Sequence, residues 1–199
     1  MTPAVFLDRD GVIDEASWDP VDARYESPID PRDVVLADGA VEGLRALVAE
    51  GYLTVVASNQ PAAAKGKATL DDLRAVHERV VELLAGAGIA LDDWRYCFHH
   101  PDAVVAELGG ACECRKPAPG LLLAAAQERG IDLAASWMVG DSDTDVLAGE
   151  RAGCRTVLVE YPRSSHRRHG DVTADAIVRN LAAAAAFMIQ TDRARLPNQ

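Results

Sequence analysis

Phe6-Leu7-Asp8-Arg9-Asp10-Gly11-Val12-Ile13-Asp14 is the stretch on which the fold turns. The apolar run from Ala4 to Leu7 reads as a short buried strand, and it stops on an Asp-x-Asp-Gly turn. Two carboxylates therefore stand at the carboxyl edge of a sheet, where open α/β sheets carry their chemistry. One carboxylate of such a pair can attack phosphorus while the other moves a proton to and from the leaving oxygen and water. Two anions this close repel each other and favour a bound cation. Taken alone, the same residues also suit a plain Asp/Gly turn after an edge strand.

Working outward, other strands end on polar residues. Leu53–Ala57 is β-branched and apolar enough for a central parallel strand, and it runs into Ser58-Asn59-Gln60, whose hydroxyl and amides can hydrogen-bond phosphate oxygens or form an ordinary turn. Ser136–Val139 ends on Gly140-Asp141-Ser142-Asp143-Thr144-Asp145. Asp141 is placed to complete a Mg²⁺ site with Asp8, while Asp143 and Asp145 are either ligands or caps of the next helix. Arg155–Val159 reads as a further strand and Ala176–Val178 as a short last one.

Between the strands the apolar spacing turns helical. Val41–Glu50 is closed by Gly51, a helix capped by Thr69 runs to about Ala85, Gly120–Arg129 follows Pro119, and a helix to Ala152 is closed by Gly153. The alanine-rich helix Leu181–Ile189 is too short to cross a membrane, and the tail after Thr191 reads as frayed. His77 falls on a helix surface and reads as structural.

Asp14 to Asp33 holds Pro20, Pro28 and Pro31 and reads as a long loop leaving the carboxylate edge. It is expected to form a lid or substrate wall, with Tyr25 and Glu26 facing a ligand, the alternative being a solvated connection. Lys65 and Lys67 lie in a small-residue loop and are read as surface lysines, with a role toward a substrate anion as the alternative. The basic segment from Tyr161 to Asp171 is read as a solvated loop in preference to a substrate contact.

The strand expected over Asp93–Cys97 opens a second constellation, Cys97-x-His99 followed by Cys112-x-Cys114. Three thiolates and an imidazole in two close pairs match a closed tetrahedral zinc site, with His100 competing with His99. Four ligands leave no open position for a catalytic water, so this zinc is expected to be structural. Arg115-Lys116-Pro117 follows directly: the lysine is suited to a transferring phosphoryl group and the arginine to a second anionic or hydroxyl-rich part of a substrate.

With 199 residues the chain fits one α/β domain, or one with a small insert. A net charge of −11 argues against a nucleic-acid partner, which lysine and arginine excess would bind. Met1-Thr2-Pro3 leads straight into the first strand and no long apolar run follows, so a soluble cytosolic protein is expected. The fourth cysteine, Cys154, stands apart from the cluster.

Together, residues 6–11, 58–60, 115–117 and 139–145 resemble the four motifs of the haloacid dehalogenase superfamily of phosphatases. The Cys-x-His and Cys-x-Cys pairs narrow the resemblance to its zinc-bearing branch, which contains the D-glycero-D-manno-heptose 1,7-bisphosphate 7-phosphatases and the histidinol-phosphate phosphatases. The long interval from His99 to Cys112 resembles the heptose side more. The resemblance implies a Rossmann-like parallel sheet with helices on both faces and no large cap domain. It implies Asp8 as nucleophile, Asp10 as general acid then base, and Mg²⁺ on Asp8, Asp141 and the Asp10 carbonyl. Ser58 and Lys116 would stabilise the phosphoryl group; Asn59, Gln60 and Arg115 would recognise substrate; zinc would bind Cys97, His99, Cys112 and Cys114. One departure stands out: in the heptose enzymes a lysine often follows the aspartate of the last motif, and here that residue is Ser142.

The expectation is thus a monomeric Mg²⁺-dependent phosphatase acting on the 7-phosphate of a small phosphorylated sugar, with no nucleic-acid or membrane partner. The alternatives are a histidinol-phosphate or other small sugar-phosphate phosphatase, and a zinc-stabilised binding protein without catalysis.

Overall fold

The computed structural model describes residues 1–195. In chain order it contains β1 (Ala4–Leu7), β2 (Ser17–Asp19), β3 (Arg24–Glu26), α1 (Ala40–Glu50), β4 (Leu53–Asn59), α2 (Leu70–Gly86), β5 (Asp93–Cys97), α3 (Gly120–Arg129), β6 (Trp137–Gly140), α4 (Asp143–Ala152), β7 (Arg155–Val159), β8 (Ala176–Val178) and α5 (Leu181–Arg195). Six strands form a sheet in the order β5-β4-β1-β6-β7-β8, every neighbouring pair parallel. The chain builds outward from β1 through β4 to β5, then returns to lay β6, β7 and β8 on the other side of β1. That reversal opens a crevice at the carboxyl ends of the strands flanking β1.

Strand alternation explains why β1 lies at the centre. Val5 and Leu7 face a core shared with Leu44 and Leu47 of α1, Val76, Val80 and Leu84 of α2, and Leu181 and Met188 of α5. Ala4 and Phe6 face the opposite core, with Leu121, Leu122 and Ala125 of α3 and Ala152 of α4. A strand buried on both faces has to be apolar throughout, and all four β1 residues are fully buried. Full burial of a side chain such as Phe6 contributes about 1.5–3 kcal/mol.

Two helix starts are fixed by their own sequence. At α2 the Thr69 hydroxyl accepts from the Asp72 amide while Asp72 reaches back to Thr69, and Ser142 and Asp145 repeat the exchange at α4.

The segment from Asp14 to Asp33 differs from the expected loop. It folds into an antiparallel hairpin, Ser17 opposite Glu26, Trp18 opposite Tyr25 and Asp19 opposite Arg24. Three-residue strands are too short to show a period, so the pairing rests on contacts the sequence does not display: the Trp18 and Tyr25 rings meet edge to face, and Lys67 ties down Asp19 and Asp22 at 2.5 Å each. Among the described residues no cap domain covers the sheet edge, and this hairpin walls it instead. Helix α5 runs beyond Ile189 to Arg195 because Asp192 is anchored by Tyr52, Trp137 and Arg155. The expected fraying after Thr191 is therefore not seen to Arg195, and residues 196–199 lie outside the described part. No helix among the described residues is long and apolar enough to cross a membrane.

Candidate active site

Asp8 follows β1 directly, its amide donating to the Val139 carbonyl at 2.9 Å, so the first motif is stitched to the strand that ends on Asp141. Asp8 Oδ1 accepts from the Arg9 amide at 2.8 Å and lies 3.0 Å from Lys116 Nζ, which also sits 2.5 Å from Asp145 Oδ1. Burial pulls the Lys116 ammonium pKa down, but Asp145 and Asp8 outweigh it and hold the group charged. Burial likewise pushes the Asp8 carboxyl above its ordinary value, Lys116 opposing and Asp145 and Asp10 adding to the rise.

Asp10 has a different environment. It accepts from Arg9 Nη2 at 2.8 Å, Gln60 Nε2 at 2.7 Å and Ser27 Oγ at 2.8 Å. Burial alone would raise its pKa; the Arg9 guanidinium outweighs that and keeps it below the usual carboxylate range. Arg9 is itself 1% exposed, with Nε 3.3 Å from Asp14, whose carboxyl burial pushes well up. At rest Asp10 is therefore a carboxylate, the form of a general base. A phosphate dianion arriving beside it opposes Arg9 and raises its proton affinity, which suits the acid half of the cycle.

The third carboxylate completes a cation-binding set. Asp8, Asp141 and Asp145 each bring one oxygen to within 4.8 Å of the others. Asp141 Oδ1 is buried with no hydrogen-bond partner, and burial, with Asp8 and Asp145 adding, pushes the Asp141 carboxyl up to about 8. An orphaned buried carboxylate oxygen beside like charges has the chemistry of a hard-cation ligand, so the residues fit Mg²⁺. Gly11, at φ +80°, makes the approach possible, since a Cβ there would lie 2.3 Å from Asp141 Oδ2.

Asp145 acts as a cap and counter-charge: Oδ2 accepts from the Ser142 amide at 3.0 Å and hydroxyl at 2.5 Å, and Oδ1 faces Lys116. Asp143 accepts from the His169 amide at 2.6 Å. Asp8 and Asp141 remain as the carboxylates to hold the ion.

These groups open on a cleft of about 330 Å³ that Asp8, Asp10, Lys116, Arg115, Asn59 and Ser142 line from the sheet side. Arg24, Glu26 and Ser27 line it from the hairpin, Lys65 from the loop after β4, and His166, Arg167 and His169 from the segment after β7. Several expectations are redirected here. Alternation along β3 turns Arg24 and Glu26 toward the cleft and Tyr25 away from it, between Trp18 and the Arg163 guanidinium 4.8 Å above its ring. Gln60 is 1% exposed and donates to Asp10 and to Ser58 Oγ, the latter at 3.1 Å, so it turns inward on Asp10 and does not line the cleft. Asn59 uses both ends of its amide on the Lys116 backbone, at 3.0 Å each, and so orients the lysine. Ser58, also buried, accepts from Gln60 and slightly opposes the rise in the Asp8 pKa.

The basic segment from Tyr161 to Asp171 is largely exposed, as expected of a solvated loop, but parts of it are tied to the site. Ser164 Oγ and Arg168 Nη1 both donate to the Asp141 carbonyl at 3.2 Å, and Arg167 reaches the cleft. A run of positive charge signals only polarity, so its destination is hidden in the sequence. Arg9, Asp14 and Ser27 escape a sequence reading for the same reason, although the arginine inside Asp8-Arg9-Asp10 is a visible candidate partner for the two acids. Lys67 is committed to the hairpin, as already described, whereas Lys65 reaches the cleft.

Cys97, His99, Cys112 and Cys114 come together in one cluster. Cys97 Sγ is 3.7 Å from Cys112 Sγ and 3.1 Å from Cys114 Sγ, and His99 Nδ1 is 3.7 Å from Cys97 Sγ and 3.4 Å from Cys114 Sγ. Tetrahedral zinc with its usual bond lengths sets sulfur atoms about 3.8 Å apart; the Cys97–Cys112 pair matches this, the Cys97–Cys114 pair is closer, and the three-thiol, one-imidazole donor set is of the kind that zinc takes. His99 is the histidine within it; His100 Nδ1 instead accepts from the Asp102 amide at 3.1 Å. His77 packs edge to face on Trp94 and meets Tyr96 Oη at 2.9 Å, in keeping with a structural role.

Comparison with known proteins places this geometry. Residues 113–184 match the family described as HAD-hyrolase-like. The chain is 38% identical over 180 residues to the D-glycero-beta-D-manno-heptose-1,7-bisphosphate 7-phosphatase of Yersinia pestis, covering 90% of this chain and 92% of that one. It is 37% identical over 180 residues to the enzyme of the same name from Escherichia coli K12, covering 90% of each. A crystal structure of D,D-heptose 1,7-bisphosphate phosphatase from B. bronchiseptica, complexed with magnesium and phosphate, matches with a TM-score of 0.80 at 29% identity, covering 96% of this chain and 99% of that one. The same sheet edge, the same acidic motifs and this degree of identity lead to one conclusion: the chain belongs to the HAD-like hydrolases, in the family of the heptose-bisphosphate phosphatases.

Proposed function

We propose that the protein is a phosphomonoester hydrolase that removes the 7-phosphate of D-glycero-D-manno-heptose 1,7-bisphosphate through a phosphoryl-enzyme on Asp8. The observation that carries this reading is the placement of two buried aspartates two residues apart at the sheet edge, each held by its own cation. Asp8, braced by Lys116, presents a nucleophile, and Asp10, braced by Arg9, exchanges a proton. Asp8 attacks phosphorus in line, the bond from phosphorus to the sugar oxygen breaks, and Asp10, which takes up a proton when the phosphate dianion arrives beside it, delivers that proton to the oxygen. Asp10 then takes a proton from the water that attacks the phosphoryl group, freeing inorganic phosphate and restoring the Asp8 carboxylate. Lys116, held by Asn59, stays charged throughout and offsets the charge on the phosphoryl oxygens. Asp8, Asp141 and the carbonyl of Asp10 would hold Mg²⁺, which when bound would supply further charge neutralisation.

Zinc on Cys97, His99, Cys112 and Cys114 is structural in this reading and fixes the arm bearing Arg115 and Lys116. Arg115, whose Nη1 donates to the His99 carbonyl at 3.1 Å, faces the part of the sugar away from the reacting phosphate. The protein acts as a monomer in the cytoplasm.

A phosphate-release screen with Mg²⁺ tests the proposal, using both anomers of the heptose bisphosphate beside histidinol phosphate. Release of one phosphate from a heptose bisphosphate, well ahead of histidinol phosphate, is expected. Preference for histidinol phosphate would overturn the substrate, and inactivity on every ester would overturn the reaction.

A further inference from the structure

We propose that Arg167 is a substrate-contacting residue of this active site, binding the transferring phosphoryl group and supplying the positive charge that position 142 lacks. The inference rests on the phosphomonoesterase reading and adds a residue outside the four sequence motifs.

Ser142 follows Asp141 directly, is 5% exposed, and commits its hydroxyl to Asp145 at 2.5 Å. The turn that carries Asp141 therefore brings no cation into the cleft. Asp8 and Asp10 line it, with Asp141 and Asp145 buried beside Asp8, while Arg9 is taken up by Asp10 and Asp14, leaving Lys116 as the cation at Asp8. A phosphate ester brings further negative charge to this place, and a second cation that reaches it is of direct use.

Arg167 meets that need by its placement. It lines the same cleft as Asp8, Asp10, Lys116 and Ser142. Its backbone is pinned on both sides to the turn carrying Asp141: Ser164 Oγ and Arg168 Nη1 donate to the Asp141 carbonyl, and the His169 amide donates to Asp143. Arg167 Nη2 donates to Glu26 Oε2 at 3.0 Å, and the other oxygen of Glu26 is already met by Arg24 Nε at 2.6 Å. The glutamate thus holds one corner of the Arg167 fork and is neutralised from its other side, so the remaining donors are available to an anion. The positive charge is also felt at Asp10 and Asp141, lowering the proton affinity of both.

The experiment compares wild type, Arg167→Gln, Arg167→Lys and Arg167→Gln carrying Ser142→Lys, all as full chains with Mg²⁺. The readouts are kcat and KM for phosphate release from the heptose bisphosphate and p-nitrophenyl phosphate, inhibition by inorganic phosphate, and the melting temperature. Arg167→Gln is expected to lower kcat/KM about 100-fold for both esters and weaken phosphate inhibition at least tenfold, with the melting temperature held. Arg167→Lys, or the added lysine at 142, is expected to recover about tenfold. A kcat/KM for Arg167→Gln within threefold of wild type would overturn the assignment. So would a loss that leaves phosphate inhibition unchanged and that neither lysine variant recovers, because that is the behaviour of a scaffold residue. Should wild type hydrolyse no ester, the phosphatase reading fails on its own, and calorimetric titration with inorganic phosphate still decides Arg167: tenfold weaker binding by Arg167→Gln supports it and equal binding overturns it.

Discussion

The carboxylate centre at Asp8 and Asp141 and the thiol centre at Cys97 to Cys114 both gather groups able to ligate a metal, and they are built in contrary ways. Asp8 and Asp141 lie far apart in sequence and meet because β1 and β6 are neighbours in the sheet, so their separation is set by a rigid core. The four soft ligands come from one short stretch and enclose one point, with no strand pairing among Cys112, Cys114 and His99. The first centre leaves an orphaned carboxylate oxygen and faces a cleft; the second has a complete set of four donors. An incomplete hard-ligand set suits chemistry and a complete soft-ligand set suits a clip. The two are joined by covalent chain, since Cys114 is followed at once by Arg115 and Lys116.

That contrast can be attacked from its strongest joint downward. Replacing Lys116 with methionine leaves Asp8 and Asp145 buried without their counter-charge, so unfolding is expected to become easier by about 3–5 kcal/mol and kcat to fall about 1,000-fold. Denaturant melts and phosphate-release kinetics measure both, and near-normal stability would mean that the lysine does not neutralise the pair. Cys112→Ala, or zinc withdrawal by a chelator, is expected to cost roughly 2–5 kcal/mol. The loss stays below the total binding energy of a structural zinc because the sheet core stands without it. Activity should fall about tenfold through loosening of the arm with Lys116. Zinc analysis beside a thermal melt checks this, and a variant as stable and active as wild type would remove the clip from the account.

Gly11→Ala addresses the open centre alone. Its Cβ would lie 2.3 Å from Asp141 Oδ2, and the Mg²⁺ concentration giving half-maximal activity is expected to rise about 10–100-fold. Gly88 has a similar φ, +74°, with nothing within 4 Å of a Cβ. Gly88→Ala is therefore the control, with about 1–2 kcal/mol of strain and unchanged Mg²⁺ dependence.

The smallest effect lies at Asp192, remote from both centres. Burial would raise its pKa, but Arg155, Tyr52 and Trp137 outweigh that and hold it below 3.8. A depressed carboxylate stabilises the fold above its unfolded value and loses that contribution as pH falls through the folded one. Asp192→Asn is expected to cost about 1–3 kcal/mol at neutral pH, with the gap to wild type closing in acid below pH 3.8, and to leave kcat unchanged. A gap that persists in acid would mean that the carboxylate's charge is not what anchors α5.

The sequence displays these regions unequally, for physical reasons. Strand edges announce themselves because an apolar run that stops on acids marks the point where a buried strand leaves the core, and so Asp8, Asp141 and Ser58 are legible with the sheet that carries them. Ligand pairs at tight spacing are local, which makes the thiol centre legible as well. Substrate-facing roles depend on which way a side chain turns after folding. Tyr25 turns away because a hairpin forms where no period is visible, Gln60 and Asn59 are drawn inward to Asp10 and Lys116, and Arg167 is delivered by a segment whose destination depends on hydrogen bonds to Asp141. The Arg9 link to Asp10 and Asp14 is hidden likewise, since burial decides whether an arginine among acids is a solvated charge or an internal brace.

Acid-quenched single-turnover mass spectrometry on Asp10→Asn, with Mg²⁺ and p-nitrophenyl phosphate, whose leaving group departs without a proton from residue 10, tests the central claim most directly. A phosphoryl group is predicted on the peptide bearing Asp8, persisting because the base for its hydrolysis is gone, and absent when Asp8→Asn is added. Label on another residue, or undiminished phosphate release by a folded Asp8→Asn variant, would contradict the account.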